Sequence, residues 1–265
     1  MSTLSAGSQR HDPREGLDAD GLITTGADPD AVPSAFEPVV RDLVESVDAD
    51  VEVYLYGSVA TGQATPGDSD VDVLTIGLSS HRARRVAAEL SGVHRSRCRA
   101  VEIAPAHHTD FVGPGDEAYG NRVFLHHYCV HVAGPQRQTT GPHLGDVCAA
   151  RGFNGDIARH LLRWEQLLTA ENAEAVARMA ARKTLLAVAG LVSVHDGCWT
   201  TDRRLAAERW ALVDPSLRST VQQLIDWCTN STGTSVSDVR ATLSSGVSAI
   251  VEQFGERIGC WESPS

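Results

Sequence analysis

Residues 55–76 read Leu-Tyr-Gly-Ser-Val-Ala-Thr-Gly-Gln-Ala-Thr-Pro-Gly-Asp-Ser-Asp-Val-Asp-Val-Leu-Thr-Ile. They put a Gly-Ser turn after one apolar strand and an Asp-x-Asp pair on the next. The preceding run, Val51 to Tyr56, alternates in character and is rich in β-branched and aromatic residues, so a strand ending at Gly57 is expected. Gly57-Ser58 then turns the chain into a short helix, Val59 to Gly62. Glycine lets the backbone come close to a ligand, a helix N-terminus offers unpaired N–H groups, and the Ser58 hydroxyl adds a donor. Such a turn suits a phosphate.

After the turn Thr65-Pro66-Gly67-Asp68, a second strand is expected over Asp70 to Ile76. Strand side chains alternate between faces, so Asp70 and Asp72 point one way and Val71 and Val73 the other. Two carboxylates about 7 Å apart along a strand repel by roughly 1 kcal/mol or more at partly buried sites unless a cation lies between them. Magnesium, with its preference for hard oxygen ligands and substrate phosphates, is the natural occupant. A third carboxylate is expected on a neighbouring strand. Arg99-Ala100-Val101-Glu102-Ile103-Ala104 follows a helix over His81 to Leu90, and Glu102 is its only acid. Glu102 is placed to take the proton from an attacking hydroxyl or to complete the shell of a second metal. Alone, a Gly-Ser is ordinarily a turn and an Asp-x-Asp a solvated strand edge. It is their combination with an acid on a third strand that points to a nucleotide and metal site.

The pattern resembles the nucleotidyltransferase superfamily, to which DNA polymerase β and the antibiotic nucleotidyltransferases belong. Gly57, Ser58, Asp70 and Asp72 match its signature and Glu102 its third carboxylate, over about residues 36 to 105. The resemblance implies transfer of a nucleoside monophosphate from a triphosphate to a hydroxyl, with release of pyrophosphate. The expected reading is AMP from ATP, with magnesium, as two ions, at the carboxylates; the sequence leaves the choice of triphosphate open.

The chain has 265 residues, 42% of them hydrophobic, enough for two modest cores, and two domains are expected. The net charge of −11 and pI near 5.4 come with no Lys/Arg-rich stripe near the motif, which weighs against a polymerase or other nucleic-acid enzyme. An acidic surface attracts a cationic acceptor instead. Cys98, Cys129, Cys148, Cys198, Cys228 and Cys260 lack C-x-x-C spacing, and no signal peptide is evident, so reduced thiols in the cytoplasm are expected. No apolar run reaches the about 18 residues that a membrane span needs. The pairs His107-His108 and His126-His127, with His131, face different ways on a strand or helix, so a surface or core-edge role is favoured over zinc.

The fold class expected is α+β, a small mixed sheet followed by an all-helical domain. Residues 1–32, rich in Ser, Gly, Asp and Pro, are expected to be a disordered tail, 33–150 the catalytic domain and 151–265 the helical domain. Ser34 with Glu37 reads as a capping box opening a helix to about Val47, and the sheet is expected to be covered on one side. Asn121 to Tyr128 looks helical, and Val130 to Pro135 a last strand ending in a turn. Five helices are expected in the second domain: Ile157–Leu168, Ala173–His195 with Val176, Met179, Ala180, Leu185, Val188, Leu191 and Val192 inward, one after Asp202, one after Ser216, and Asp238–Ile258.

A small sheet cannot enclose both a triphosphate and an acceptor, so a crevice between sheet and helices is the expected site. The layout resembles the aminoglycoside adenylyltransferases that modify streptomycin and spectinomycin, in His131-Val132-Ala133-Gly134-Pro135 and in the stretch from Arg182 to Trp210. It departs from them where they carry a Ser-Lys pair: here the residues are Thr200-Thr201-Asp202-Arg203-Arg204. Lys183, Arg203 and Arg204 are candidate triphosphate contacts, though solvated helix faces explain each of them as well. Asp196, Trp199 and Asp202 are candidates to meet a cationic sugar by charge and stacking, with capping an equal account of Asp202. Two other readings stay open. One is an antitoxin-type nucleotidyltransferase acting on a protein partner; the other is a non-catalytic nucleotide-binding regulator that keeps the fold.

Overall fold

The computed structural model of the chain describes residues 15–136 and 141–261. They fall into two compact units. One is Thr24–His143; the other joins Leu144 onward to the N-terminal segment that ends at Ile23. The tail expected over residues 1–32 lies outside the described residues as far as position 14. From Glu15 the chain is built in: β1 (Gly16–Leu17) pairs with β2 (Ile23–Thr24), the Gly145 N–H donates to the Gly21 carbonyl at 3.0 Å, and the Thr201 hydroxyl donates to Glu15 Oε1 at 2.7 Å. Composition alone pointed to disorder because these anchors lie more than a hundred residues away in sequence.

The Thr24–His143 unit is a four-stranded mixed sheet built from β3 (Glu52–Tyr56), β4 (Val71–Ile76), β5 (Val101–Ala106) and β6 (Val130–Ala133), in the order β5-β4-β3-β6. β3 runs antiparallel to β4 and β6, whereas β4 and β5 are parallel. Parallel strands need a crossover, which here is α3 (Ser80–Val93), its first turn closed by the Ser79 hydroxyl accepting from the Arg82 N–H. Period-2 alternation gives the sheet two distinct faces. Val53, Leu55, Val71, Val73 and Val101 pack with Phe36, Val39, Leu43, Val86 and Leu90 of α1 (Glu37–Glu45), its entry turn and α3.

The second face is not bare, as a sheet covered on one side would have it. Tyr54, Leu74 and Ile76 pack there with Phe111 and with Leu125 of α4 (Asp116–Tyr128), which begins five residues before the expected Asn121. Covering only part of that face leaves the rest for polar side chains. Other boundaries also shift. Ser34 belongs to a 3-10 turn over Ser34–Phe36 and caps nothing, and the short helix α2 starts at Gly57 (Gly57–Ala60) rather than at Val59. The turn after β6 requires glycine: Gly134 has φ +82°, and a Cβ there would meet the Val51 carbonyl oxygen at 2.1 Å.

The other unit is helical: α5 (Val147–Asn154), α6 (Ile157–Leu167), α7 (Ala173–Asp196), α8 (Arg203–Val213), α9 (Arg218–Thr229), α10 (Val236–Thr242) and α11 (Ser248–Arg257). The expected five helices become seven among the described residues. α5 was missed because it is only two turns long and carries Gly152; its signal was Asp146, whose carboxylate accepts from the Cys148 and Ala149 N–H groups. The last expected helix is instead α10 and α11 joined by a π-helical segment, Leu243–Val247, with Ser235 as its cap. α7 is the hub. Its small residues Ala177, Ala180, Ala181, Ala187 and Ala189 are all buried, which lets neighbouring helices approach closely, while Met179, expected to face inward, is 47% exposed. No described helix is long and apolar enough to cross a membrane.

Candidate functional site

Strand register brings the predicted acids together. Tyr56 on β3 pairs with Asp72 on β4, and Asp72 pairs with Glu102 on β5. Directly paired residues present side chains to the same face, so a phenol and two carboxylates form a row across three strands. The row continues the line of Tyr54, Leu74 and Ile76, beyond the part that α4 covers. Apolar residues anchor each strand and the acids occupy the remaining positions: Val71 and Val73 are fully buried on the opposite face, while Asp72 is half-buried and Glu102 exposed.

Gly57 comes against Asp72 from the side. Its φ is +69°, and a Cβ built on it would lie 2.4 Å from Asp72 Oδ2. Two constraints therefore select glycine here: left-handed backbone and a carboxylate where a side chain would start. Ser58 follows as the second residue of α2, its carbonyl accepting the N–H groups of Gln63 and Ala64 at 2.8 and 3.0 Å. The turn that was expected to meet a phosphate thus abuts one of the carboxylates expected to meet a metal.

Asp70 lies just before β4, with its side chain 14% exposed. Arg99 grips it with two nitrogens: Nε donates to Oδ1 at 3.0 Å and Nη2 to Oδ2. The backbone fixes this meeting, since the Arg99 N–H donates to the Ser69 carbonyl at 3.0 Å and the Val71 N–H to that of Ala100 at 2.9 Å. Arg99 stood in the sequence only as the opening of a strand. Its role was hidden because the parallel pairing of β4 with β5, not sequence proximity, sets it beside Asp70. Tyr56 was also missed. Its phenol is pushed up to about 12, by burial first and then by the charge of Asp72, with smaller contributions from Cys129 and Glu102. It keeps its proton at any ordinary pH, and its ring meets that of Phe124 edge-on, with centroids 5.2 Å apart.

Among the described residues, no three His, Cys, Asp or Glu side chains form a group that could hold a metal ion as they stand. The donor chemistry nonetheless fits a hard divalent cation. Asp70 and Asp72 offer carboxylate oxygens, a guanidinium already stands on Asp70 as a cation, and the missing Cβ of Gly57 lets the Asp72 carboxylate lie against the backbone of the Gly-Ser turn.

The candidates in the helical unit have structural partners of their own. Lys183 ion-pairs with Asp156 at 2.7 Å and donates to the Phe153 carbonyl at 3.1 Å. Burial alone would raise the Asp156 carboxyl, but His160 and Lys183 outweigh it and hold it low. Arg204 pairs with Glu208 one turn on, and Asp202 caps α8 by accepting from the Arg204 and Leu205 N–H groups, both at 2.9 Å. Trp199 is 3% exposed, packed edge-on against Phe153. Arg203 differs. It is half-buried, donates to the Arg182 carbonyl at 3.1 Å, and its pKa is lowered by burial and by the like charge of Arg182.

Asp196 is gripped by Arg209, with Nε at 2.6 Å and Nη2 at 2.8 Å, and also meets His195 Nδ1 at 2.7 Å. The Arg209 hydrogen bonds hold its carboxyl below the ordinary value of 3.8, against the opposing effect of burial. A depressed carboxyl contributes stability that is present above its unfolded-state pKa and lost as pH falls through the folded value. The melting-temperature advantage of wild type over Arg209→Ala is therefore expected to be full near pH 6 and to shrink below about pH 4. A gap that stays constant down to about pH 2.5 would remove the ion pair as its source.

Residues 36–107 match the model of the nucleotidyltransferase domain family. No curated protein matches the chain. Among solved structures, the chain is similar to a spectinomycin adenyltransferase from Enterococcus faecialis, crystallised with ATP and spectinomycin. The identity is 10% over 83% of this chain and 97% of that one, with a TM-score of 0.44. The stretch that matches the nucleotidyltransferase domain family, residues 36–107, contains every member of the row Tyr56–Asp72–Glu102 together with Gly57, Asp70 and Arg99.

Proposed function

We propose that the protein is a magnesium-dependent nucleotidyltransferase that moves AMP from ATP to a hydroxyl of a small cationic acceptor, of the aminoglycoside or amino-sugar kind. The observation that carries this reading is the close approach of Gly57 to Asp72 with Glu102 in register beside it: a phosphate-binding turn, a metal-binding acid and a candidate base in one row. Asp70 and Asp72 hold the ions, and Glu102 can share in that shell. Bound there, magnesium supplies charge neutralisation at the phosphates and at the departing pyrophosphate.

The chain's own residues do the rest. Gly57 and Ser58 hold phosphate oxygens through backbone N–H groups and the hydroxyl. Glu102, exposed at the edge of the row, accepts the proton of the acceptor hydroxyl as its oxygen bonds to the α-phosphorus and the bond to pyrophosphate breaks. Its exposure lets the proton pass to water. Tyr56, protonated throughout, walls the row without adding charge. Within the helical unit, Arg203 donates to the Arg182 carbonyl and Lys183 is held by Asp156. Charge selects the acceptor class, because a chain with net charge −11 draws a cationic molecule and repels a polyanion.

Pyrophosphate release from ATP and magnesium, measured across a panel of aminoglycosides and other amino sugars, tests this. At least one cationic acceptor should raise release about 100-fold or more over the hydrolytic background. Release that rises only with a protein fraction would move the acceptor to a protein, and ATP binding without release for any acceptor would leave a non-catalytic nucleotide binder.

A further inference from the structure

Asp70 and Arg99 raise a question that the proposed chemistry does not answer. A carboxylate assigned to a metal is already held by a cation from its own chain, through two donated hydrogen bonds. Arg99 is well suited to hold it and well suited to leave. Its backbone is tied to Ser69, beside Asp70, whereas its side chain is 69% exposed and swings into water at little cost. The Asp70 carboxylate, at 14% exposure, has far less freedom. The guanidinium also feels Glu102 and Asp72, so its charge is set against all three acids of the site.

Resting on the metal reading above, we propose that Arg99 is a resident counter-cation of the site, which holds Asp70 in position and which a divalent ion must displace in order to bind. Three carboxylates gathered on one part of a sheet repel one another and would splay without a positive charge. Arg99 supplies that charge and keeps Asp70 aimed for a metal. It also makes the site harder for a metal to enter, because the ion must break a bidentate pair before it gains Asp70. Arg99 is a positioning residue: it acts on the reaction only through Asp70.

Manganese binding to the full-length protein without nucleotide, followed by the loss of free-ion electron paramagnetic resonance signal, separates this from a merely structural ion pair. Arg99→Gln removes the competitor and is expected to bind manganese about fivefold more tightly than wild type, the size of effect a partly exposed ion pair supports. Asp70→Asn is expected to abolish most of the binding, and unchanged circular dichroism in both variants shows that the fold is kept. If Arg99→Gln binds equally or more weakly while Asp70→Asn still loses the ion, the counter-cation role is overturned and the metal site stands. If neither wild type nor Arg99→Gln binds the ion, the metal reading falls and this proposal with it.

Discussion

Replacing Asp72 by asparagine is expected to lower kcat by about a thousandfold or more, since several kcal/mol of metal-dependent stabilisation would be lost and each 1.36 kcal/mol is about tenfold in rate. The substitution is close to isosteric. It removes one charge from the middle strand of the row, where Tyr56 and Glu102 flank Asp72 in register, and leaves the fully buried Val71 and Val73 on the opposite face untouched. Asparagine keeps the shape of the side chain and removes charge from beside both Glu102 and the Arg99 guanidinium, effects of opposite sign for the fold. A melting temperature within a few degrees of wild type is therefore expected alongside the lost turnover. Because the proximity of Asp72 is one cause of the raised Tyr56 pKa, the phenol should also titrate lower in the variant, by spectrophotometric titration, with burial still holding it above the ordinary 10.0. Activity within about tenfold of wild type would sink the assignment of Asp72 to the metal.

Gly57→Ala is expected to do comparable damage to activity for a different reason. The backbone at position 57 is left-handed, which costs a non-glycine residue roughly 1–2 kcal/mol. That is a moderate loss, readable as a lower denaturation midpoint. The second conflict is local: the new methyl would stand 2.4 Å from Asp72 Oδ2, so the carboxylate has to turn away. A flexible carboxylate end yields cheaply in stability, but it moves a group that the reaction needs in one place, and a displacement of about 1 Å costs on the order of 100-fold in rate. The expected signature is a loss of about 1–2 kcal/mol in stability with a loss of 100-fold or more in kcat. Equal activity at reduced stability would show that Asp72 need not stay where the fold holds it.

The strand–turn–strand order, the Gly-Ser turn, the Asp-x-Asp pair and the acid on a third strand were legible because each rests on local rules: period-2 alternation, turn residues and spacing along one chain. The family match over residues 36–107 agrees with that reading. In the helical unit, α6 to α9 were legible to within a few residues, whereas α5 was too short to show a period and the α10–α11 break is a π-helical segment that no propensity signals. The order of residues 15–32 was not legible, because Glu15 is held by Thr201 and Gly21 by Gly145, partners far away in sequence.

The sequence by itself determined which residue types stand at the candidate site, because a glycine at a turn and aspartates two apart on a strand are written along the chain. Only the tertiary structure decided what surrounds them. The pairing of β4 with both β3 and β5 put Tyr56 and Glu102 on either side of Asp72, and the same parallel pairing laid Arg99 on Asp70. Packing in the helical unit gave Asp196 to Arg209, Lys183 to Asp156 and Asp202 to the cap of α8. The reason is physical: a side chain's partner is set by register and packing between elements distant in sequence, and nothing in the local pattern encodes a register.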